Sequence, residues 1–369
     1  MSAGGSPLGF IDRPLERGKV DVLFVSLGST LGLQAADEQL VQSLRSAGLS
    51  VHVAQVPPKG RNVRTLMLTD LVQAWVSRVA AGRAMQYVDP AVVLCSTTTA
   101  ALLAPRADVI RFDALAQRSR PGRHGVWQRP LERRRLRRAK VLLPWDAGSL
   151  DGAPDGLKDR THVVPVAIDT APDAAALGAA EALLAQWKAD GHRVAAVTYA
   201  ADAAKKGLDR LVAAWGIARR TDETLIVTGR DALPSGLEGQ GILCVGRLDP
   251  AVFRALVGAV GLFAIAPRRE DYGLVQLEAL AAGARVVTTT APGPYAALPL
   301  IRELWPEQVV DDADDPSALA AALRVGLDAR ADPSRPDPTA AHAQAAVGAW
   351  SPEAVRTLVE REIVPLLRP

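Results

Sequence analysis

Two successive series of short, β-branched apolar runs, each run followed by a helical pattern, constrain this chain more than any other feature. The first series holds "KVDVLFVSLG" (19–28), "LSVHVAQV" (49–56), "AVVLCS" (91–96), "ADVIRF" and "KVLLPW". Between the first two lies "AADEQLVQSLRSAG" (35–48), with Leu40, Leu44 and Ala47 at helical spacing and a stop at Gly48. The stretch "LTDLVQAWVSRVAAGRAMQ" also reads as helix. From His192 the alternation restarts with "HRVAAVTYA", "GLDRLVAAWGIARR", "ETLIVTG", "GILCVG", "DPAVFRALVGAV", "GLFAIAP", "GLVQLEALAAG" and "ARVVTTT". Alternating β and α units imply parallel sheets covered by helices, because parallel strands need a crossover that returns over the sheet. Two series imply two doubly wound α/β domains. The turn-rich segment around 151–190 bridges them, and "DARADPSRPDPTAAHA" (328–343) reads as a surface loop.

At 369 residues, about half of them hydrophobic, the chain has material for two cores. Its two cysteines, Cys95 and Cys244, both lie in apolar runs, so buried thiols are expected rather than a disulfide or a metal site. No apolar run reaches the roughly 18 residues of a membrane span, and the N-terminal stretch has no apolar core of signal-peptide type. The expectation is a soluble, cytoplasmic protein. The net charge of +3 hides an asymmetry: residues 1–165 carry 23 Lys/Arg against 14 Asp/Glu. Most of the excess lies in "RSRPGRHGVWQRPLERRRLRRAK" (118–140). That run reads as a solvated helix face, as a peripheral contact with an acidic membrane, or as the site of an anionic acceptor; nucleic acid fits least, since aromatic interleaving stops at Trp127.

In sheets of this kind ligands bind beyond the carboxyl ends of the strands, and phosphates favour helix N-termini. "REDYGLVQLEALAAGARVV" (269–287) supplies such a place: Glu270 on a loop after a strand, and Glu278 about two turns into the helix that follows. Eight helical positions span roughly 12 Å, longer than the roughly 5–9.5 Å between paired glycosidase carboxylates. The two glutamates therefore suit two ends of one elongated ligand, with the helix N-terminus facing negative charge between them. A nucleoside diphosphate sugar has that layout. The plainer reading is that Asp271 caps the helix and Glu278 pairs with an arginine.

This stretch resembles the E-x7-E signature of the retaining GT-B glycosyltransferases of family 4, including Tyr272-Gly273, Glu278-Ala279 and Gly283 before a β-branched run. The resemblance extends to "KKGLDRLVAAW" (205–215), "LIVTG", "ILCVGRLDP", "FAIAP", "HVVPVAID" (162–169) and the closing "WSPEAVRTLVEREIVPLL". It implies two Rossmann-like domains facing across a cleft: an acceptor-side domain over 1–165, a donor-side domain over 166–349, and a C-terminal helix over 350–369 crossing back to the first. It implies a metal-independent hexosyltransferase with no cofactor, acting on a nucleotide-sugar donor and an unidentified acceptor, anionic or lipid-linked among the readings. Glu270 would bind donor-sugar hydroxyls, Glu278 the ribose, and backbone N–H groups of Tyr272, Gly273, Leu274 and Val275 the sugar and distal phosphate. Lys206, with Lys205 beside it, would neutralise the leaving diphosphate. Gly32 would let the backbone approach that phosphate, and Val245 and Arg247 would lie near the base. Asp113 would contact an acceptor hydroxyl, with His124 and Arg123 as further acceptor-side candidates.

The sequence departs from the family pattern in four places. "YAADAAKKG" lacks the arginine about five residues before the lysine, leaving Arg247, Arg268 or Arg269 to substitute. "LGSTLGLQ" replaces a Gly-Gly, Phe112 stands before Asp113 where a histidine is common, and "TTTAPGPYAAL" keeps Gly293 but no glutamate. These departures leave two alternatives: a catalytically weak binding or regulatory protein, or a sugar-nucleotide 2-epimerase on the same fold. Asp312-x-Asp314 superficially suggests a metal motif, but Asp315-Pro316-Ser317 reads as a helix cap. The nicotinamide fingerprint G-x-G-x-x-G is not met by "GSTLG".

Overall fold

The computed structural model describes residues 18–29, 31–56, 66–120, 122–169, 173–330 and 337–368. The N-terminal stretch, residues 170–172 of the bridge and 331–336 of the expected loop lie outside the described residues. The first lobe is a five-stranded parallel sheet in the order β2-β1-β3-β4-β5, with β1 Gly18–Ser26, β2 Val51–Gln55, β3 Val88–Cys95, β4 Val109–Phe112 and β5 Val141–Pro144. Its crossovers are α1 (Leu31–Ser46), α2 (Leu66–Ala84), α3 (Thr98–Leu102), then the short α4 (Ala116–Ser119) with α5 (Gln128–Arg138).

The second lobe is a six-stranded parallel sheet in the order β11-β10-β9-β6-β7-β8. Its strands are β6 Arg193–Tyr199, β7 Glu223–Thr228, β8 Ile242–Cys244, β9 Leu262–Ile265, β10 Arg285–Thr289 and β11 Val309–Val310. Helices α6 (Ala174–Ala189), α7 (Leu208–Ala218), α8 (Pro250–Val260), α9 (Leu274–Ala281), α10 (Ala297–Leu304), α11 (Pro316–Ala329) and α12 (Ala340–Ala346) cover it. The two doubly wound lobes read from the alternation are present.

Strand alternation divides the first lobe's core into two faces. Leu23 and Val25 pack with Val93, Cys95, Ile110 and Leu142 beneath α2, α3 and α5. Val22 and Phe24 pack with Leu94, Val109 and Leu143 beneath α1. That second face is completed by the end of the chain: α13 (Pro352–Leu358), a π-helical turn (Val359–Ile363) and α14 (Val364–Leu367) place Val355, Val359, Ile363 and Leu367 in the same cluster. The terminal segment thus leaves the second lobe and seals the first by burying apolar side chains.

Several local expectations are corrected. The segment 328–343 is not a continuous loop: α11 runs to Ala329, α12 starts at Ala340, and Arg285 pairs with Asp337 at 2.6 Å. His342 therefore lies in a helix. His192 precedes β6 rather than opening it. Cys95 is fully buried as expected, whereas Cys244 is only half-buried because β8 is a short edge strand. The run 118–140 is not simply a solvated face. Glu132 points inward and accepts from the Ala116 backbone N–H at 2.9 Å, Arg135 donates to the Leu102 and Ala104 carbonyls, and Arg120 forms a two-bond pair with Asp70.

Candidate functional site

The carboxyl ends of β4 and β5 in the first lobe and of β6, β9 and β10 in the second meet between the lobes. Three glycines make the approach possible. Gly207 adopts φ +62°, and a Cβ there would lie 1.7 Å from the Ala266 carbonyl oxygen, so only glycine lets the Lys205-Lys206 turn press against the end of β9. The Arg268 N–H donates to the Lys205 carbonyl at 2.9 Å and fastens that contact. Gly293 has φ +129° and its Cβ would meet the Glu270 carbonyl at 2.0 Å. Gly273, with φ +85°, opens α9.

These turns set Lys206 against Glu270. The Lys206 ammonium lies 2.6 Å from Glu270 Oε2, and both side chains are largely buried. Glu270 has a full set of donors: Gln276 Nε2 reaches Oε2 at 3.3 Å and the Gly273 N–H reaches Oε1 at 3.3 Å. Gln276 in turn donates to the Tyr295 hydroxyl at 3.1 Å, and that hydroxyl is 2.6 Å from Thr288 Oγ1. Tyr295 holds φ +48°, an uncommon backbone state for a bulky residue, which its packing against Gly273 maintains.

A second group of charges lies alongside. Lys205 pairs with Asp271 at 3.0 Å, and Arg269 contributes two bonds to the same carboxylate. Burial pulls Lys205 down, but the Asp271 carboxylate outweighs it and raises the ammonium's pKa above its ordinary value. Asp113, at the end of β4, is pushed up to about 6 by burial and by the nearby Asp271 charge. Arg269 also donates to the Arg118 carbonyl at 2.6 Å, tying the two lobes across this group. Lys205, Lys206 and Arg269 thus face Asp113, Glu270 and Asp271, an internally balanced set of charges.

Glu278 lies elsewhere on α9, as its spacing requires. Because α9 begins at Leu274, Glu278 is little more than one turn into the helix rather than two. Its carboxylate is 3.6 Å from Arg254 Nη1, and Arg254 Nη2 holds Asp169 at 2.9 Å. Burial lifts Glu278 to about 7 against the pull of Arg254, with Asp169 adding to the rise. The side chain keeps 20% exposure, so it is not sealed in the core.

The remaining candidates divide. Gly32 is brought across from the first lobe: a Cβ on it would be 3.5 Å from Leu274 Cδ2, facing the start of α9. Leu274 and Val275 occupy the first turn of α9, where backbone N–H groups have no helical partner. The Gly273 N–H is taken by Glu270, as above. The Tyr272 side chain serves a different purpose: its hydroxyl accepts from Trp350 Nε1 at 2.7 Å and from the Val166 N–H at 3.3 Å, and its ring meets Trp145 edge-on at 5.2 Å. It clamps both lobes and the terminal segment together. The Val245 N–H is used by the Val227 carbonyl, and Arg247 is exposed. Arg268, one possible replacement for the missing cation, is held by Asp209 through two bonds at 2.6 and 2.8 Å. Arg123 and His124 are exposed on a 3₁₀ turn against α2, and among the described residues no hydrogen bond ties either to the charge cluster. Asp314 pairs with Arg210, and Asp315 caps α11.

Sequence reasoning missed Arg111, Asp146 and Arg254. Arg111 is 1% exposed at the end of β4, lies over the Trp145 ring at 4.9 Å and contacts Asp37 at 3.4 Å. Its Nε, the Trp145 Nε1 and the Asp146 Oδ2 are buried without hydrogen-bond partners, the kind of polar lining that a polar ligand or water would satisfy. A charged residue inside "VIRF", and another inside "VFRALVG", were the available signals.

Comparison with known proteins supports the fold. Residues 192–328 match the family model for glycosyl transferases, group 1. No curated sequence matches the chain. Sucrose-phosphate synthase from Thermosynechococcus elongatus is 17% identical, with 95% of this chain and 99% of that chain covered at a TM-score of 0.66. Anabaena HepE in complex with UDP is 16% identical, with 95% and 100% covered at 0.64. WaaG, a glycosyltransferase involved in lipopolysaccharide biosynthesis, is 16% identical, with 93% and 96% covered at 0.61. The fold is GT-B, and the match to the group 1 glycosyl transferase model lies within the second lobe.

Proposed function

We propose that this GT-B chain, whose second lobe contains the match to the group 1 glycosyl transferase model, transfers a hexosyl group from a nucleoside diphosphate sugar to an acceptor hydroxyl, without a metal and with retention of configuration. The observation that carries the reading is the Lys206–Glu270 pair at 2.6 Å beside the start of α9. In this structure each partner neutralises the other. A donor would exchange them: the ammonium turns to the diphosphate, and the freed carboxylate accepts the sugar hydroxyls. Glu278, one turn further along α9, would accept from the ribose.

As the glycosidic C–O bond breaks, negative charge grows on the leaving phosphate. Lys206 and the free N–H groups of Leu274 and Val275 stabilise it, the kind of fixed electrostatic assistance worth about 3–4 kcal/mol per donor. The acceptor oxygen attacks from the face the phosphate leaves, and its proton passes to the departing phosphate oxygen. No protein base is required on this route. Asp113, across the cleft beside Asp271 and Lys205, would orient the acceptor hydroxyl. HepE, similar in fold, is known in complexes with UDP and with UDP-glucose, so uridine diphosphate sugars are the first donors to test.

The engagement of Arg268 with Asp209 and of Arg269 with Asp271 favours one second reading, a binding or regulatory protein, because neither arginine is free to serve as a second diphosphate cation. The experiment that separates the two is donor hydrolysis or transfer with UDP-, GDP- and ADP-sugars. Turnover that disappears in Lys206→Ala supports the enzyme; binding with no turnover supports the alternative.

A further inference from the structure

Helices α2, α3 and α5 form one layer over one face of the first sheet. Val76, Ala80 and Ala81 of α2, Ala100 and Ala101 of α3 and Leu136 of α5 all enter the same core cluster. The solvent sides of α2 and α5 therefore look the same way, away from the sheet. On α2 the inward positions are Asp70, Ala74, Ser77 and Ala81, and the exposed ones include Leu71, Trp75 and Arg78. Leu71 is 43% exposed and Trp75 59% exposed, four positions apart on one stripe. An amphipathic helix in a soluble layer places such residues inward; here a second apolar stripe faces out.

On α5 the exposed stripe is Pro130, Arg133, Arg134, Arg137 and Arg138, which line an open hollow on the surface. Arg133 donates to Gln117, while Arg134, Arg137 and Arg138 have no acidic partner among the described residues. The only carboxylates on the two helices, Asp70 and Glu132, are buried and satisfied from within, by Arg120 and by the Ala116 N–H. Neither solvent face offsets its cations. Arg78 of α2 donates to the Leu103 carbonyl, and Arg135 of α5 donates to the Leu102 and Ala104 carbonyls, so the two helices bring their cations to the same end of α3. The apolar stripe and the cationic ridge are thus neighbours on one outer surface.

We infer that this surface docks on an anionic lipid bilayer, with Trp75 and Leu71 entering the headgroup region and Arg134, Arg137 and Arg138 meeting acidic headgroups. Charge complementarity selects the occupant: uncompensated arginines attract anionic lipid, while an exposed Trp and Leu gain from the interface and would gain little from a nucleic-acid backbone. The inference stands apart from the proposed transfer chemistry, since none of these residues belongs to the cleft. Among the described residues no helix is long and apolar enough to cross a membrane.

The test is co-sedimentation of the whole protein with phosphatidylcholine vesicles, with and without phosphatidylglycerol. Binding is expected only where phosphatidylglycerol is present. The triple variant Arg134→Ala, Arg137→Ala, Arg138→Ala should lower the partition coefficient about a hundredfold, at about fivefold per arginine. These side chains are exposed, so far-ultraviolet circular dichroism should be unchanged. Brominated acyl chains should quench Trp fluorescence in the wild type, and Trp75→Phe should remove that quenching. Equal binding to neutral vesicles, wild-type binding by the triple variant, or quenching that persists in Trp75→Phe would overturn the inference. So would tight binding to duplex DNA or RNA with no vesicle binding.

Discussion

Lys206 Nζ and Glu270 Oε2 lie 2.6 Å apart although they belong to turns after two different strands, β6 and β9. The pair is an ion pair in a largely buried place, and its members are the two groups that the resemblance assigns to adjoining parts of one donor, the diphosphate and the sugar. Breaking such a pair by removing one partner costs about 3–5 kcal/mol when the other charge is left bare. Here Glu270 keeps the Gln276 amide and the Gly273 N–H, so the charge left behind is partly solvated.

Lys206→Ala should therefore leave the protein folded while lowering turnover about 10²–10³-fold, the loss typical of one donor aimed at a developing anion. Single-turnover rates with a saturating donor, beside a thermal melt, check this. A variant that unfolds would place the pair in the stability of the fold instead.

Nucleotide affinity should depend on pH through Glu278. Its pKa stands at about 7 because burial disfavours the charge. Ribose hydroxyls donate best to the ionised carboxylate, so binding should strengthen as pH rises through about 7 and weaken below it. Calorimetric titration of the nucleotide from pH 5.5 to 8.5, about the range that brackets this ionisation, should show the dependence, and Glu278→Gln should flatten it.

Gly207→Ala should destabilise the protein by about 3 kcal/mol, combining a left-handed backbone state with a collision at the Ala266 carbonyl. The same change should displace Lys206. Urea denaturation gives the first effect. The second would appear as lost nucleotide affinity at temperatures where the variant remains folded.

Glu132 links pH to stability. Burial raises it to about 7 in the folded protein, above the ordinary value of 4.5 that the unfolded chain retains. Between those values the folded state binds more protons, so this residue's contribution is greatest below about 4.5 and is lost as pH rises through about 7. Glu132→Gln should reduce the fall in stability across that window, read from denaturation midpoints at several pH values.

Much of this fold was legible in the sequence because strand and helix periodicity report burial, and burial decides where a doubly wound sheet forms. Glu270, Glu278, Lys206 and Gly32 could be singled out because their neighbours are motif-like, and the structure brings Lys206 to Glu270 and Gly32 to the start of α9. The Tyr272 side chain was not: its hydroxyl belongs to a contact with Val166 and Trp350, 106 and 78 positions away, which no local pattern encodes. The same holds for Glu132, whose place inside an arginine-rich helix is visible only once α4 lies against α5. Helix length also misled. Gly273 delays the start of α9, so Glu278 sits closer to the helix entrance than its spacing from Glu270 suggests.

The most direct measurement is the position of the Lys206 ammonium in a crystal structure of the protein soaked with a mixture of nucleotide sugars. The account predicts a donor between the lobes, with the ammonium moved from Glu270 to a diphosphate oxygen and the Glu270 and Glu278 carboxylates accepting from sugar and ribose hydroxyls. A nucleotide bound elsewhere, or one bound here while Lys206 stays on Glu270, would contradict it.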